Sequence, residues 1–239
     1  MALALLVVDS GSTATGAPLS PEARALVASV AQSIDQVRAR HALLPPPRDD
    51  ADRLTRMGEL DQAPRRIIVA ADFSKIPEEE RPAARDAAGA LIEAVDRENQ
   101  VALSKLVPAE GWFLRSRYGE AAARSAFHIV QHADNEMQRR FLSILEPLVA
   151  MGEVDGQSYG MMFDRIAVGE GRSQRFGSQF RCDQGRWAPY PLENPEGVEG
   201  RRAAMGFPGS FADMKLRFAA MPPCAPTRSA RPAAMDRKP

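Results

Sequence analysis

The sequence predicts a mainly α protein, a helical bundle-like core carrying one C-terminal antiparallel β-hairpin. Three observations lead there. Apolar residues recur every three or four positions through the longest patterned stretches, the spacing that builds one buried stripe on a helix. Ser, Asp, Asn, Pro and Gly stand at the boundaries of those stretches, where helices start and stop. After Gly171 the pattern changes to short β-like runs on either side of a glycine-containing turn.

Each element has its own signal. Ser20-Pro21-Glu22 starts the first helix, with Ser as N-cap and Pro at the first helical position, and Leu26, Val30, Ile34 and Val37 form its stripe over roughly 20 residues. Pro45-Pro46-Pro47 ends it, because consecutive prolines cannot continue a helix. Asp49 to Leu60 reads as a short polar helix, and Arg65 to Ala70 as an apolar connector, either a strand or a buried turn. Pro77 to Leu106 has the longest helical pattern, with Ala84, Ala88, Leu91, Ile92, Val95, Leu103 and Leu106 on one face. Asp96, Glu98, Asn99 and Gln100 in that stretch read as its solvated side. Pro108, Gly111 and Trp112 mark an exit, and Glu120 to Ala133 is helical again.

Asn135-Glu-Met-Gln138 fits a capping box, so a new helix is expected from Glu136 to about Met151, with His132 and Asp134 at a helix–helix corner. A continuous helix would instead put Ala126, Val130, Met137 and Phe141 on the buried face, and His128, His132 and Glu136 opposite. Gln157 to Val168 is a further helix. Ser173–Arg181 and Arg186–Leu192 are expected to pair as antiparallel strands around Cys182-Asp-Gln-Gly185, with Pro189 and Pro191 confining the second to an edge. A short helix follows Asn194-Pro195 and ends at Gly206, and Ser210-Phe-Ala-Asp213 caps a last one. The division this implies is a flexible or signal-like N-terminus (1–19), an N-terminal helical segment (20–107), a motif-bearing α domain with the hairpin (108–221) and a disordered tail (222–239).

The chain's 239 residues are enough to bury a full core. Its 31 basic and 31 acidic residues leave no net charge, so nothing marks the basic footprint of a nucleic-acid or anionic-membrane partner. No apolar run reaches the roughly 18 residues of a membrane span. Among the basic residues only Lys75, Lys105, Lys215 and Lys238 are lysine, and the wealth of Ala and Arg suggests a GC-rich bacterial genome. Met1 to Val8 is a short apolar run resembling the end of a signal peptide without its basic start. A cytoplasmic location is expected, or a periplasmic or secreted one if that run is a truncated signal. Cys182 and Cys224 lack metal-site spacing, and a disulfide between them would require an oxidising compartment.

Polar residues inside apolar segments pick out the candidate site, since buried polar groups are either paired or functional. They are His132 and Asp134 in Val130-Gln-His-Ala-Asp134, Asp164 and Arg165 in Asp164-Arg-Ile166, Gln174 and Gln179 in Gln174-Arg-Phe-Gly-Ser-Gln179, and Arg201 and Arg202 in Val198-Glu-Gly-Arg-Arg202. At these motifs the chain resembles an uncharacterised bacterial family of unknown function. The family's signature is Val-Gln-His-Ala-Asp, Asp-Arg-Val/Ile, Gln-x-Tyr-Gly-Thr-Gln and Val-x-x-Arg-Arg, in that order. The likeness covers roughly Asp96 to Phe218, with Phe176 in place of Tyr and Ser178 in place of Thr. It implies no activity, and a chemical task for the Tyr hydroxyl would be dispensable or lost here.

Three readings follow. A hydrolase or group-transfer enzyme would use His132 as acid/base, Asp134 or Asp164 to orient it and Arg165 to hold an anionic group. Gln131, Gln174, Gln179, Arg201 and Arg202 would then bind a small polar ligand. The second reading is a buried hydrogen-bond network that pins the hairpin to the helices. The third is a peptide- or protein-binding module presenting an edge strand with exposed Trp187 and Tyr190. His128, His132 and Glu136 could share a helix face, but no complete metal-ligand set is evident, and neither a metal nor a cofactor is expected. The first two readings require His132, Asp164, Arg165, Gln174 and Gln179 to converge.

Overall fold

A computed structural model of the chain describes residues 19–221 and residue 224. Its elements are α1 (Pro21–Ala42), α2 (Asp50–Ala70), α3 (Arg81–Leu106), α4 (Arg115–Tyr118), α5 (Glu120–Gln131), α6 (Asn135–Ala150), α7 (Gly156–Gly169), β1 (Phe180–Asp183), β2 (Arg186–Pro189), α8 (Val198–Ala204) and α9 (Phe211–Ala219). The described part is thus mainly helical with one antiparallel hairpin, as the sequence predicts. No helix among the described residues is long and apolar enough to cross a membrane.

Ser20 caps α1 as expected, its side chain accepting from the Ala23 N–H at 3.3 Å. α2 departs from expectation. It runs unbroken through the segment read as a helix end and an apolar connector, with Pro64 inside it. A proline there removes one helical hydrogen bond. Ala63 and Pro64 are both buried against neighbouring elements, and tertiary packing outweighs the local cost. α3 starts later than predicted because a turn of 3-10 helix, Glu78–Glu80, precedes it.

α2 packs against α1, α3 and α5, while α6 packs against α7. The main core runs across these helices through Leu54, Leu103, Trp112, Phe127, Phe141 and Tyr159. A second cluster, with Val30, Ile34, Ala88 and Val95, joins α1 to α3. Gly58 permits the close approach of α2 to α5, since a β-carbon there would stand 2.5 Å from the Ser125 Cβ.

The chain does break between α5 and α6, which places His132 and Asp134 at the corner. The N-cap of α6 is Asp134, accepting from the Met137 N–H at 2.8 Å, one residue earlier than predicted. Gln138 takes no part in a capping box and donates instead to the carbonyls of Gln131 and Ala133.

The hairpin is shorter than expected. Phe180 to Asp183 pairs with Pro189 to Arg186 around a turn in which Gln184 and Gly185 have φ of 47° and 80°, both in the left-handed region that such tight hairpin turns require. Gln174 to Gln179 is not strand. It is a loop joined to the second run by the bridge Gln174 to Leu192 and by a bond from the Tyr190 N–H to the Gln179 carbonyl. Phe218 of α9 stacks on Phe180 at 3.8 Å and meets Trp187 edge-on. Cys182 is disulfide-bonded to Cys224, with Cα atoms 5.6 Å apart. The expectations for residues 1–18 and for the remainder of the 222–239 tail lie outside the described residues.

Candidate functional site

His132 ends α5, and its nearest charged partner comes from a helix the motif reading did not include. Its Nδ1 lies 3.0 Å from Oδ1 of Asp61 on α2. One turn further along α2, Arg65 donates to that same oxygen at 3.0 Å and to both carboxylate oxygens of Asp96 on α3 at 2.8 Å. Gln62 donates to the second Asp61 oxygen at 2.7 Å. Three helices therefore meet at one charged cluster, and Asn99 reinforces the junction by donating to the Met57 carbonyl at 3.4 Å.

The Asp61 side chain is fully buried, while those of Arg65 and His132 each keep 19% exposure. Burial pushes the Asp61 carboxyl upward, but the bonds and charges of His132 and Arg65, with Gln62, outweigh it and hold the group below the usual aspartate range. Asp96 goes the other way. Burial raises it, and a single shared guanidinium does not compensate. His128, whose ring lies 6.3 Å from that of His132, is pushed down by burial toward the neutral imidazole.

Asp61, Asp96 and His132 each offer one ligand atom, all within 4.8 Å of one another. That donor set could in principle hold a divalent cation. Arg65 already bridges the two carboxylates, however, so an ion would have to displace a guanidinium that satisfies them. The set fits proton transfer better than metal binding.

The other motif residues form a separate group. Asp164, fully buried on α7, accepts from the N–H groups of Arg175 at 2.6 Å, Phe176 at 3.0 Å and Ser178 at 2.9 Å. Gln174, also fully buried, donates to the carbonyls of Gln179 and Tyr190 and accepts from the Gln179 N–H. Arg201 donates to the carbonyls of Arg175 and Asn194. Arg202 donates to those of Phe176 and Gly209, its guanidinium 4.6 Å above the Phe207 ring. These side chains bond the backbone of the 174–179 loop and tie it to the carbonyls of Tyr190, Asn194 and Gly209. Gly177 in that loop has φ of 70°, and Phe211 leaves no room for a β-carbon there.

The expected single convergence therefore splits in two. Asp164, Gln174, Arg201 and Arg202 come together around the loop, with Gln179 contributing its backbone. His132 stands apart with Asp61. Asp134 is a helix cap, and Arg165 is exposed, reaching only the Gln131 carbonyl at 3.4 Å. Trp187 and Tyr190 are half-buried, not the exposed aromatics a docking edge would present.

Sequence reasoning missed Asp61 and Arg65 because it ended the helix at Leu60 and took Arg65 to Ala70 as an apolar connector, where α2 continues to Ala70. Their four-residue spacing, which puts an acid and a base on one helix face, was the available signal. Asp96 and Asn99 were read as a solvated face.

No curated protein and no solved structure matches this chain. A family described as one of unknown function, DUF6624, matches residues 48–220 and so takes in Asp61, Arg65, Asp96 and His132 together with the loop-binding group. With the match extending over most of its length, the chain belongs to this family of unknown function, DUF6624.

Proposed function

We propose that the protein is an acid–base enzyme of the hydrolase or group-transfer class, with His132 as the proton carrier and Asp61 as the residue that positions it. The observation behind this reading is the 3.0 Å contact between His132 Nδ1 and the fully buried Asp61 carboxylate. A carboxylate held there fixes the neutral ring with its proton on Nδ1 and leaves Nε2 as the free basic nitrogen, the arrangement a general base needs. Arg65 bridges Asp61 and Asp96, so each carboxylate keeps a cationic partner whichever protonation state the imidazole adopts. The loop-binding group around Asp164 has a structural role in this reading.

Two measurements test it. Nitrogen-15 spectra of labelled histidine should give the Nδ1-protonated tautomer for neutral His132. Turnover of p-nitrophenyl acetate or p-nitrophenyl phosphate should fall at least roughly 100-fold in His132→Gln while the melting temperature stays within a few degrees. An Nε2-protonated His132, or equal turnover by parent and variant, overturns the proposal. The bridging of two helices by Arg65 favours a second reading, a purely structural ion cluster, and for that reading His132→Gln would lower stability without changing any turnover.

A further inference from the structure

The chain has two cysteines, and both are used in one bond. Cys182 on β1 is joined to Cys224, 42 residues later and just past the end of α9. Their Cα atoms are 5.6 Å apart, a separation that a disulfide spans without backbone movement. The bond links two segments that already meet through other contacts. Phe180 and Cys182 point to one face of the hairpin, because side chains two apart on a strand share a face. Trp187 stands opposite Cys182 across the ladder and so lies on that same face. α9 covers it, with Phe218 stacked on Phe180 at 3.8 Å and edge-on to Trp187, and with Phe211 tilted against Phe180. Burial alternates accordingly, Phe180 and Cys182 half-buried and Arg181 and Asp183 exposed. Past α9 the Cys224 N–H donates to the Gly185 carbonyl, at the hairpin turn, at 3.1 Å.

This placement separates a structural disulfide from a catalytic one. Thiol–disulfide catalysts keep their cysteines a few residues apart, as in Cys-x-x-Cys, with one sulfur open to solvent as a low-pKa thiolate. Here the two come from distant parts of the sequence, and both are half-buried. The aromatic contacts and the backbone bond to Gly185 hold the sulfurs together, and that high effective concentration favours the bond over two free thiols. The hairpin has only two strands and is marginal by itself, so a covalent tie to α9 adds to what packing supplies. A bond that is meant to persist forms where thiols are not continually reduced.

We infer that Cys182–Cys224 is a permanent structural disulfide that clasps the end of α9 onto the hairpin, and that the protein matures and works in an oxidising compartment, the periplasm or the exterior of the cell. The step is a two-electron oxidation. Both Sγ–H bonds break, the S–S bond forms, and two electrons and two protons pass to a disulfide oxidant, such as a thiol oxidase or oxidised glutathione, which becomes two thiols. The inference is independent of the His132 cluster and of any chemistry there.

Free thiols are trapped with N-ethylmaleimide in intact cells of the source organism, before lysis, and the chain is weighed by mass spectrometry. It should carry no label until it is reduced and then take up two, and a tryptic digest without reductant should contain the Cys182 and Cys224 peptides as one linked species. Label on the unreduced chain overturns the inference. For the purified oxidised protein, an equimolar buffer of reduced and oxidised glutathione should leave the bond intact. Cys182→Ser combined with Cys224→Ser should lower the melting temperature by at least roughly 5 °C and abolish its response to dithiothreitol. A bond opened by the glutathione buffer, or equal melting temperatures for the bonded and double-serine chains, also overturns it.

Discussion

Replacing Asp61 with alanine tests whether the charged cluster holds three helices together. The carboxylate is fully buried and accepts from His132, Arg65 and Gln62. Breaking a buried ion pair by removing one partner costs about 3–5 kcal/mol. Arg65 and His132 each retain 19% side-chain exposure and can recover some hydration, which lowers the expectation to roughly 2–4 kcal/mol. For a chain of this size each kcal/mol moves the melting temperature by about 2–4 °C, so a fall of roughly 4–16 °C should appear in a thermal scan. The pH dependence follows from the depressed Asp61 carboxyl. Its folded value lies below the ordinary 3.8, so its contribution is complete above that value and is lost as pH falls through the folded one. The gap between parent and variant should thus be full at neutral pH and close in strong acid. Asp61→Ala and His132→Ala combined should show a coupling of about 0.5–3 kcal/mol. An Asp61→Ala protein within 0.5 kcal/mol of the parent at pH 7, by urea titration, would refute the reasoning.

Two further outcomes are expected. Asp164→Ala strips the acceptor from three loop N–H groups and should cost about 3–5 kcal/mol, with faster amide exchange at Arg175, Phe176 and Ser178; unchanged exchange there would contradict the role given to Asp164. Gly58→Val drives a side chain into Ser125 and should destabilise by about 1–3 kcal/mol, with part of the loss restored by Ser125→Gly; a neutral effect would mean that α2 and α5 are not in close contact at this point.

The helices were legible where a cap and a stripe agreed. Ser20 with the Leu26–Val37 series specified α1, and Ser210 with Asp213 specified α9, whose capping box is formed in the structure. They were illegible where local chemistry and packing disagree, as at Pro64, whose intrinsic preference is overruled by neighbours far away in sequence. Gln174 to Gln179 misled for a related reason. Its alternating character suggested a strand, yet its N–H groups are taken by the Asp164 carboxylate before they can join a ladder. The cluster was half legible. His132 stood out as a titratable residue in an apolar setting, but its partner is 71 residues earlier, and no local pattern reports a pairing over that distance.

The two polar groups also differ in when they can form. Asp164 reaches its loop across only 11 to 14 residues, and Arg202 reaches it across 26. The segment from α7 to α8 therefore closes short chain loops and can organise early. His132 and Asp61 must instead close a loop of 71 residues, with Arg65 and Asp96 closing one of 31. On loop-closure entropy alone the charged cluster is expected to assemble after that segment. A chain with its hairpin already in place can still lack the cluster, and a partly folded population would carry its carboxyl-terminal architecture without the contact between His132 and Asp61.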